Sequence, residues 1–128
     1  MSFTVQLQAF ADVAIGNVEQ VFRGTCIGLF TRVIRRTPAV TGRLRGNWQT
    51  DISSPAQGII DRTGESGAIN EAVNVSLRAE LSDSVFFTNN LPYAVPIESG
   101  TSTQAPSGML KVSVLELEQV VQQQAAQL

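Results

Sequence analysis

Apolar residues recur along the first quarter of the chain at three- and four-residue steps: Phe3, Leu7, Phe10, Ala14, Val18, Val21, Leu29 and Val33. That spacing predicts one long helix over residues 3–36, with Ser2 as its N-cap. Arg32, Arg35 and Arg36 fall in its last turns, where cations complement the negative helix end. Pro38 disfavours helix at Thr37 and stops it. Gly16, Gly24 and Gly28 each weaken such a helix by about 1 kcal/mol relative to alanine, and their spacing permits close approach of another backbone.

The period then changes. Thr41-Gly42 is a turn signal, and Gly42 can take a positive φ. Arg43, Leu44 and Arg45 alternate toward Asn-Trp-Gln-Thr-Asp-Ile, a strand with Trp48, Thr50 and Ile52 on one face. On that reading both arginines lie opposite Leu44, facing an assembly joint or a lumen. Ile59-Ile60-Asp61 reads as a short further strand. A second helix has Ser66 near its start and Ile69, Val73, Leu77 and Leu81 along one face. Val85 to Thr88 are strong β formers and predict the best strand. Asn90 is read as the cap of a short helical turn, with Pro92 in its first positions and Gly100 at its exit. Met109, Val112, Leu115, Val120 and Val121 support a C-terminal helix from Ser107 to about Gln124. The expected fold is α+β in a single domain over residues 1–128: a long N-terminal helix, a small antiparallel sheet, a second helix and a C-terminal helix, the body spanning 41–128.

Length sharpens that expectation. A helix over 3–36 would be about 50 Å long. A globule of this size is about 36 Å across. One end would project, and copies of the same chain are the simplest cover for its apolar side chains. The charged fraction of 16%, below the usual quarter, points the same way. Net charge is −2, yet six of the nine basic residues, Arg23, Arg32, Arg35, Arg36, Arg43 and Arg45, lie in one stretch. Such clustering gives one face a positive potential despite the total.

The chemistry is bounded mainly by what is missing. There is no histidine, which removes Ser-His-Asp and Cys-His nucleophilic sites, and with Cys26 as the one cysteine the usual zinc ligand sets fail as well. Neither GxxxxGK[ST] nor GxGxxG occurs. Asp51, Asp61 and Glu98 are scattered acids of the kind that end strands, and Lys111 is the single lysine. Cys26, in an apolar helical pattern, reads as a buried thiol. The opening residues lack the basic and apolar regions of a signal peptide, and no window approaches the roughly 20 apolar residues of a membrane span. The expectation is a non-enzymatic protein with no cofactor, no metal and no membrane, made in a cytoplasm.

Two stretches carry more. "TPAVTGRLRGNW" resembles the Thr-Pro-x-x-Thr-Gly-x-Leu-Arg-x-x-Trp segment of a family of head–tail connection proteins of tailed bacteriophages, known as neck, tail-completion or minor tail-component proteins. "TNNLPYAVPIESGTSTQAPSGML" resembles that family's second signature, Asn-x-x-Pro-Tyr-Ala, then Glu-x-Gly, then Ala-Pro-x-Gly-Met. The matching positions are Pro38, Thr41, Gly42, Leu44 and Trp48 in the first, and Pro92, Tyr93, Gly100, Pro106 and Gly108 in the second, with Asn90 directly after its asparagine. The pair occurs in the family's order, so the resemblance covers nearly the whole chain. It implies a structural virion component that forms a homo-oligomeric ring, six-fold rather than twelve-fold, at the head–tail junction. Its partners would be portal, adaptor or stopper proteins on one side and tail-terminator or tube proteins on the other. Genome DNA would pass through the lumen without sequence specificity. A tail terminator capping the tube is the near alternative; a small DNA-binding regulator using the Arg23–Arg45 cluster is the alternative of another class.

Within this frame Trp48 is read as a core anchor rather than a base-stacking platform. Tyr93 is expected to pack beneath the short helix. Glu98 is expected to pair with an arginine of its own or a neighbouring subunit. Loops 53–68 and 99–107 are read as docking segments that order on assembly.

Overall fold

The strand at residues 84–89 organises the molecule, with one strand paired to each of its sides. A computed structural model of the chain describes residues 3–8, 18–39, 41–100, 102–105 and 107–127. In chain order the elements are β1 (Phe3–Gln8), α1 (Val18–Arg36), α2 (Arg43–Gly46), β2 (Gln49–Ile52), α3 (Glu65–Arg78), β3 (Ser84–Asn89), α4 (Ala94–Glu98), α5 (Leu110–Val114) and α6 (Leu117–Ala126). The sheet order is β1-β3-β2 and both pairings are antiparallel. The fold is α+β, as the periodicity indicates.

The N-terminal helix is much shorter than its spacing predicts. Residues 3–8 form a strand, paired from Phe3 opposite Asn89 to Gln8 opposite Ser84. Phe3 and Leu7 stand four apart, a separation that serves one face of a helix and, being even, one face of a strand equally well. The β3 backbone decides between the two, because a six-residue ladder satisfies donors and acceptors along its edge. Beginning at Val18, α1 has 19 residues and is about 28 Å long. It does not overhang the globule, so the argument from a projecting rod falls. The remaining helical positions before Val18, Gly16 among them, lie outside the described residues.

Helix α1 is sheltered by its own chain. Buried pairs recur every four residues, at Val21–Phe22, Thr25–Cys26, Leu29–Phe30 and Val33–Ile34. Phe30 stacks on Phe87 with ring centroids 4.3 Å apart, and Trp48 stacks on Phe87 at 4.5 Å. All three rings are fully buried, and the triple stack ties α1 to β3 and to the entry of β2. On another side of α1 lies α6: a Cβ on Gly28 would stand 2.9 Å from Val120 Cγ1. The glycine spacing thus admits a helix of the same chain.

Helix α3 turns a small-residue face inward. Ala68, Ala72, Val75, Ser76 and, just beyond its end, Ala79 are buried, whereas Leu77 and Leu81 are exposed and Ile69 and Val73 only partly covered. The face expected inside is therefore rotated, because the close approach of α1 selects alanine over leucine. Other expectations are corrected locally. Residues 59–61 form no strand. The C-terminal segment breaks into α5 and α6 at Leu115–Glu116, leaving Leu115 the most exposed large apolar side chain among the described residues, at 82%. No described helix is long and apolar enough to cross a membrane.

Candidate assembly surface where the two motifs meet

Thr37 is the pivot of the first motif. Its hydroxyl donates to Val33 O at 2.7 Å and accepts the Trp48 indole N–H at 2.8 Å. Trp48 is therefore the core anchor expected, its one donor satisfied inside. The chain then turns at Gly42, whose φ is +78° and whose carbonyl accepts the Gly64 N–H at 2.8 Å. Such a φ favours glycine, and a Cβ would press to 2.9 Å from Gly64 N. From this turn Arg43, Leu44 and Arg45 enter the single helical turn α2 rather than a strand. Leu44 is buried, Arg43 exposed and Arg45 half-buried. The two arginines do not share the face that strand alternation assigns them.

Four of the six clustered arginines are engaged by their own chain. Arg45 donates from Nε to Thr37 O at 2.7 Å and from Nη2 to Arg35 O at 2.9 Å, so it caps the carbonyl end of α1. It also approaches Glu65 at 3.9 Å. Arg32 and Arg36 both pair with Glu116, at 3.1 and 2.7 Å, and so tie α1 to the α5–α6 break. The hydrogen bond from Arg36, followed by that from Arg32 and the charges of both, outweighs desolvation and holds the Glu116 carboxyl below its ordinary 4.5. Arg23 pairs with Glu19 and donates to Ala79 O. Only Arg35 and Arg43 of the six are exposed, and neither guanidinium makes an ion pair among the described residues.

Arg62 holds the site's loop in place, a structural role that sequence reasoning passes over. Its Nε donates to Gly46 O and its Nη2 to Trp48 O, each at 2.7 Å, with Glu71 beside it at 3.4 Å. A lone arginine in a Gly-rich loop carries no local signal of that role. Together with Asn47, whose Oδ1 accepts the Ile60 N–H, and Gln49, which donates to Gly58 O, Arg62 pins residues 58–62 against the first motif. This part of the loop is ordered by its own chain, without a neighbour.

The second motif meets the first across the sheet end. Asn89 donates to Leu44 O at 2.9 Å, and its Oδ1 accepts the Leu91 N–H. Asn90 does not cap a helix; its amide donates to Ala56 O and Gly58 O, and α4 starts after Tyr93. Pro92 lies in the turn before it, and Gly100 closes it with φ +94°. Pro106 lies outside the described residues. Glu98 does not pair with an arginine. Its Oε1 accepts the N–H groups of Met109 and Leu110 and its Oε2 that of Lys111, at 2.7 to 2.9 Å, so a buried carboxylate caps α5. Gly108, at φ +87°, leaves that carboxylate room. Asp51, Asp61 and Glu98 do not converge, and no group of three metal-ligating side chains occurs among the described residues.

Where the motifs join, the surface is concave. A mostly apolar hollow of about 260 Å³ is lined by Pro38, Thr41, Gly42 and Leu44 from the first motif and by Tyr93, Ile97 and Ser102 from the second. Tyr93 is 40% exposed, on the wall of this hollow instead of packed beneath α4. Arg43, between Gly42 and Leu44 in sequence, lines a separate hollow with Ile59, Ile60 and Asp61. Two stretches some fifty residues apart in sequence thus build one surface, held by the Asn89–Leu44 hydrogen bond. No family model, no curated protein and no solved structure matches this chain.

Proposed function

We propose that this chain is a structural virion protein of the head–tail junction of a long-tailed double-stranded DNA phage, assembling into a ring of identical copies with six-fold symmetry. The observation that carries the reading is the convergence of the two motif stretches on one hydrogen-bonded surface with an apolar hollow. Residues shared with a family of connectors then have a common place to act, and that place is suited to a protein partner. A small-molecule or metal site is poorly served there, since the lining carries no acid, histidine or cysteine. The work would be geometric: one annular surface matches the portal side, the other the tail, and the lumen passes DNA. Arg35 and Arg43 are the cluster members left free to meet a neighbour or weakly attract the genome.

The regulator reading is weakened by the same geometry. Four of the six clustered arginines are engaged within the chain, which leaves few phosphate contacts and hence a shallow salt dependence. Native mass measurement near physiological salt, with electron micrographs of particles made without the protein, tests the proposal. A discrete oligomer, and filled heads beside finished tails that fail to join, are expected. Overlong tubes would move the protein to the terminator role. Normal tailed particles, or duplex DNA binding that collapses steeply with salt, would overturn the reading.

A further inference from the structure

We propose that the outer edge of β1 pairs with the same edge of a second copy of this chain, antiparallel and about a two-fold axis. The two edges of the sheet differ. Ser53 donates its N–H to Ser84 O at 3.2 Å, and bonded and unbonded pairs alternate along an antiparallel ladder. In β3, Ser84, Phe86 and Thr88 therefore turn their backbone groups to β2, while Val85, Phe87 and Asn89 turn theirs to β1. By the same alternation Trp48, Thr50 and Ile52 point their backbone groups outward beside β2, and Thr4, Gln6 and Gln8 point theirs outward from β1. Side chains close the β2 edge. Arg62 donates to Trp48 O at 2.7 Å, Glu71 accepts the Thr50 N–H at 2.9 Å, and Asp51 accepts the Ile52 N–H at 2.8 Å. Among the described residues no further strand and no other backbone group is bonded to the β1 edge.

A row of alternating N–H and C=O groups is recognised by another such row. With the β2 edge closed, the edge that a second copy offers is again β1. The sequence suits this partner. A two-fold axis brings each residue near its own copy, where a charge would repel itself. Phe-Thr-Val-Gln-Leu-Gln carries no charge, and it holds none of the prolines or lysines that usually block an edge. Opposite residues must also share a face. Centring the pair on Gln6 meets that condition: Gln6 lies opposite Gln6, Thr4 opposite Gln8, and Val5 opposite Leu7, apolar against apolar. This register makes about six hydrogen bonds, two for each bonded pair, where centring on Val5 makes about four. The contact is isologous, unlike the head-to-tail contacts of a ring. It goes beyond the ring reading and does not depend on it.

The test uses the full chain. Q6P removes an outward N–H and leaves the bonds to β3 in place. Sedimentation is expected to show a pair for the wild type, weakened about tenfold or more in Q6P, while unfolding followed by Trp48 fluorescence stays cooperative. Q6K and Q6E each set like charges across the axis and are expected to pair poorly alone; mixed, they are expected to recover association. Amide exchange at Thr4, Gln6 and Gln8 should slow as concentration rises, whereas Val5 and Leu7 are slow at every concentration. Association that Q6P and both charge variants leave unchanged overturns the strand pair while the ring reading stands. Outward amides equally slow at every dilution do the same. A pair that responds as described but never grows larger keeps the strand pair and removes the ring. A wild-type chain that is monomeric at high concentration overturns both.

Discussion

Thr37 shows how much a single side chain can decide. It joins the end of α1 to Trp48 and offers its carbonyl to Arg45, so helix terminus, core ring and motif turn share one residue. T37V keeps the shape but leaves a buried indole N–H without an acceptor, which costs about 1–3 kcal/mol. Urea unfolding followed by Trp48 fluorescence reads this directly, and T37S should recover most of it. Unchanged stability in T37V would show that the bond does not matter. Cys26 makes a second residue-scale prediction. Burial pushes its thiol up to about 12, so the thiolate that reacts is absent at neutral pH. A thiol reagent should label nothing in the native protein and one group per chain once it is unfolded.

At the scale of elements, two carboxylates hold the C-terminal helices, each in a different way. Glu98 supplies acceptors to three N–H groups of α5. E98A leaves those donors at a largely buried helix start, and a loss of about 1–3 kcal/mol is expected. Amide exchange at Met109–Lys111 should quicken more than in α1. Glu116 instead clamps α1 to the α5–α6 break through Arg32 and Arg36. Its carboxyl titrates lower in the folded chain than its ordinary 4.5. The stabilisation is therefore present above that value and lost as pH falls through the lower, folded-state one. Stability curves of wild type and E116Q should differ at neutral pH and converge in acid; parallel curves would remove the clamp.

The whole molecule has a different logic from the one a long rod implies. Its helices cover one another, and the described residues leave open a hollow between the motifs, exposed leucines at Leu77, Leu81 and Leu115, and exposed arginines at Arg35 and Arg43. The hollow itself was partly legible beforehand, since all seven residues that line it lie within the two motif stretches, Ile97 and Ser102 included in the second. That they face each other was not, because nothing local in either segment encodes the Asn89–Leu44 bond.

Local pattern sufficed wherever one period stood alone. The β-rich run at 84–89, the helix after Gly64, the buried thiol and the buried Trp48 follow from side-chain shape and polarity within a few residues. Tertiary structure decided the ambiguous cases. Residues 3–8 satisfy both periods until β3 offers a ladder; Arg43 and Arg45 are separated by a helical turn whose Gly42 carbonyl is shared with Gly64; Glu98 finds amides instead of a cation. The common reason is that backbone donors and acceptors must be paired wherever they are buried, and their partners lie tens of residues away, beyond the reach of any local spacing.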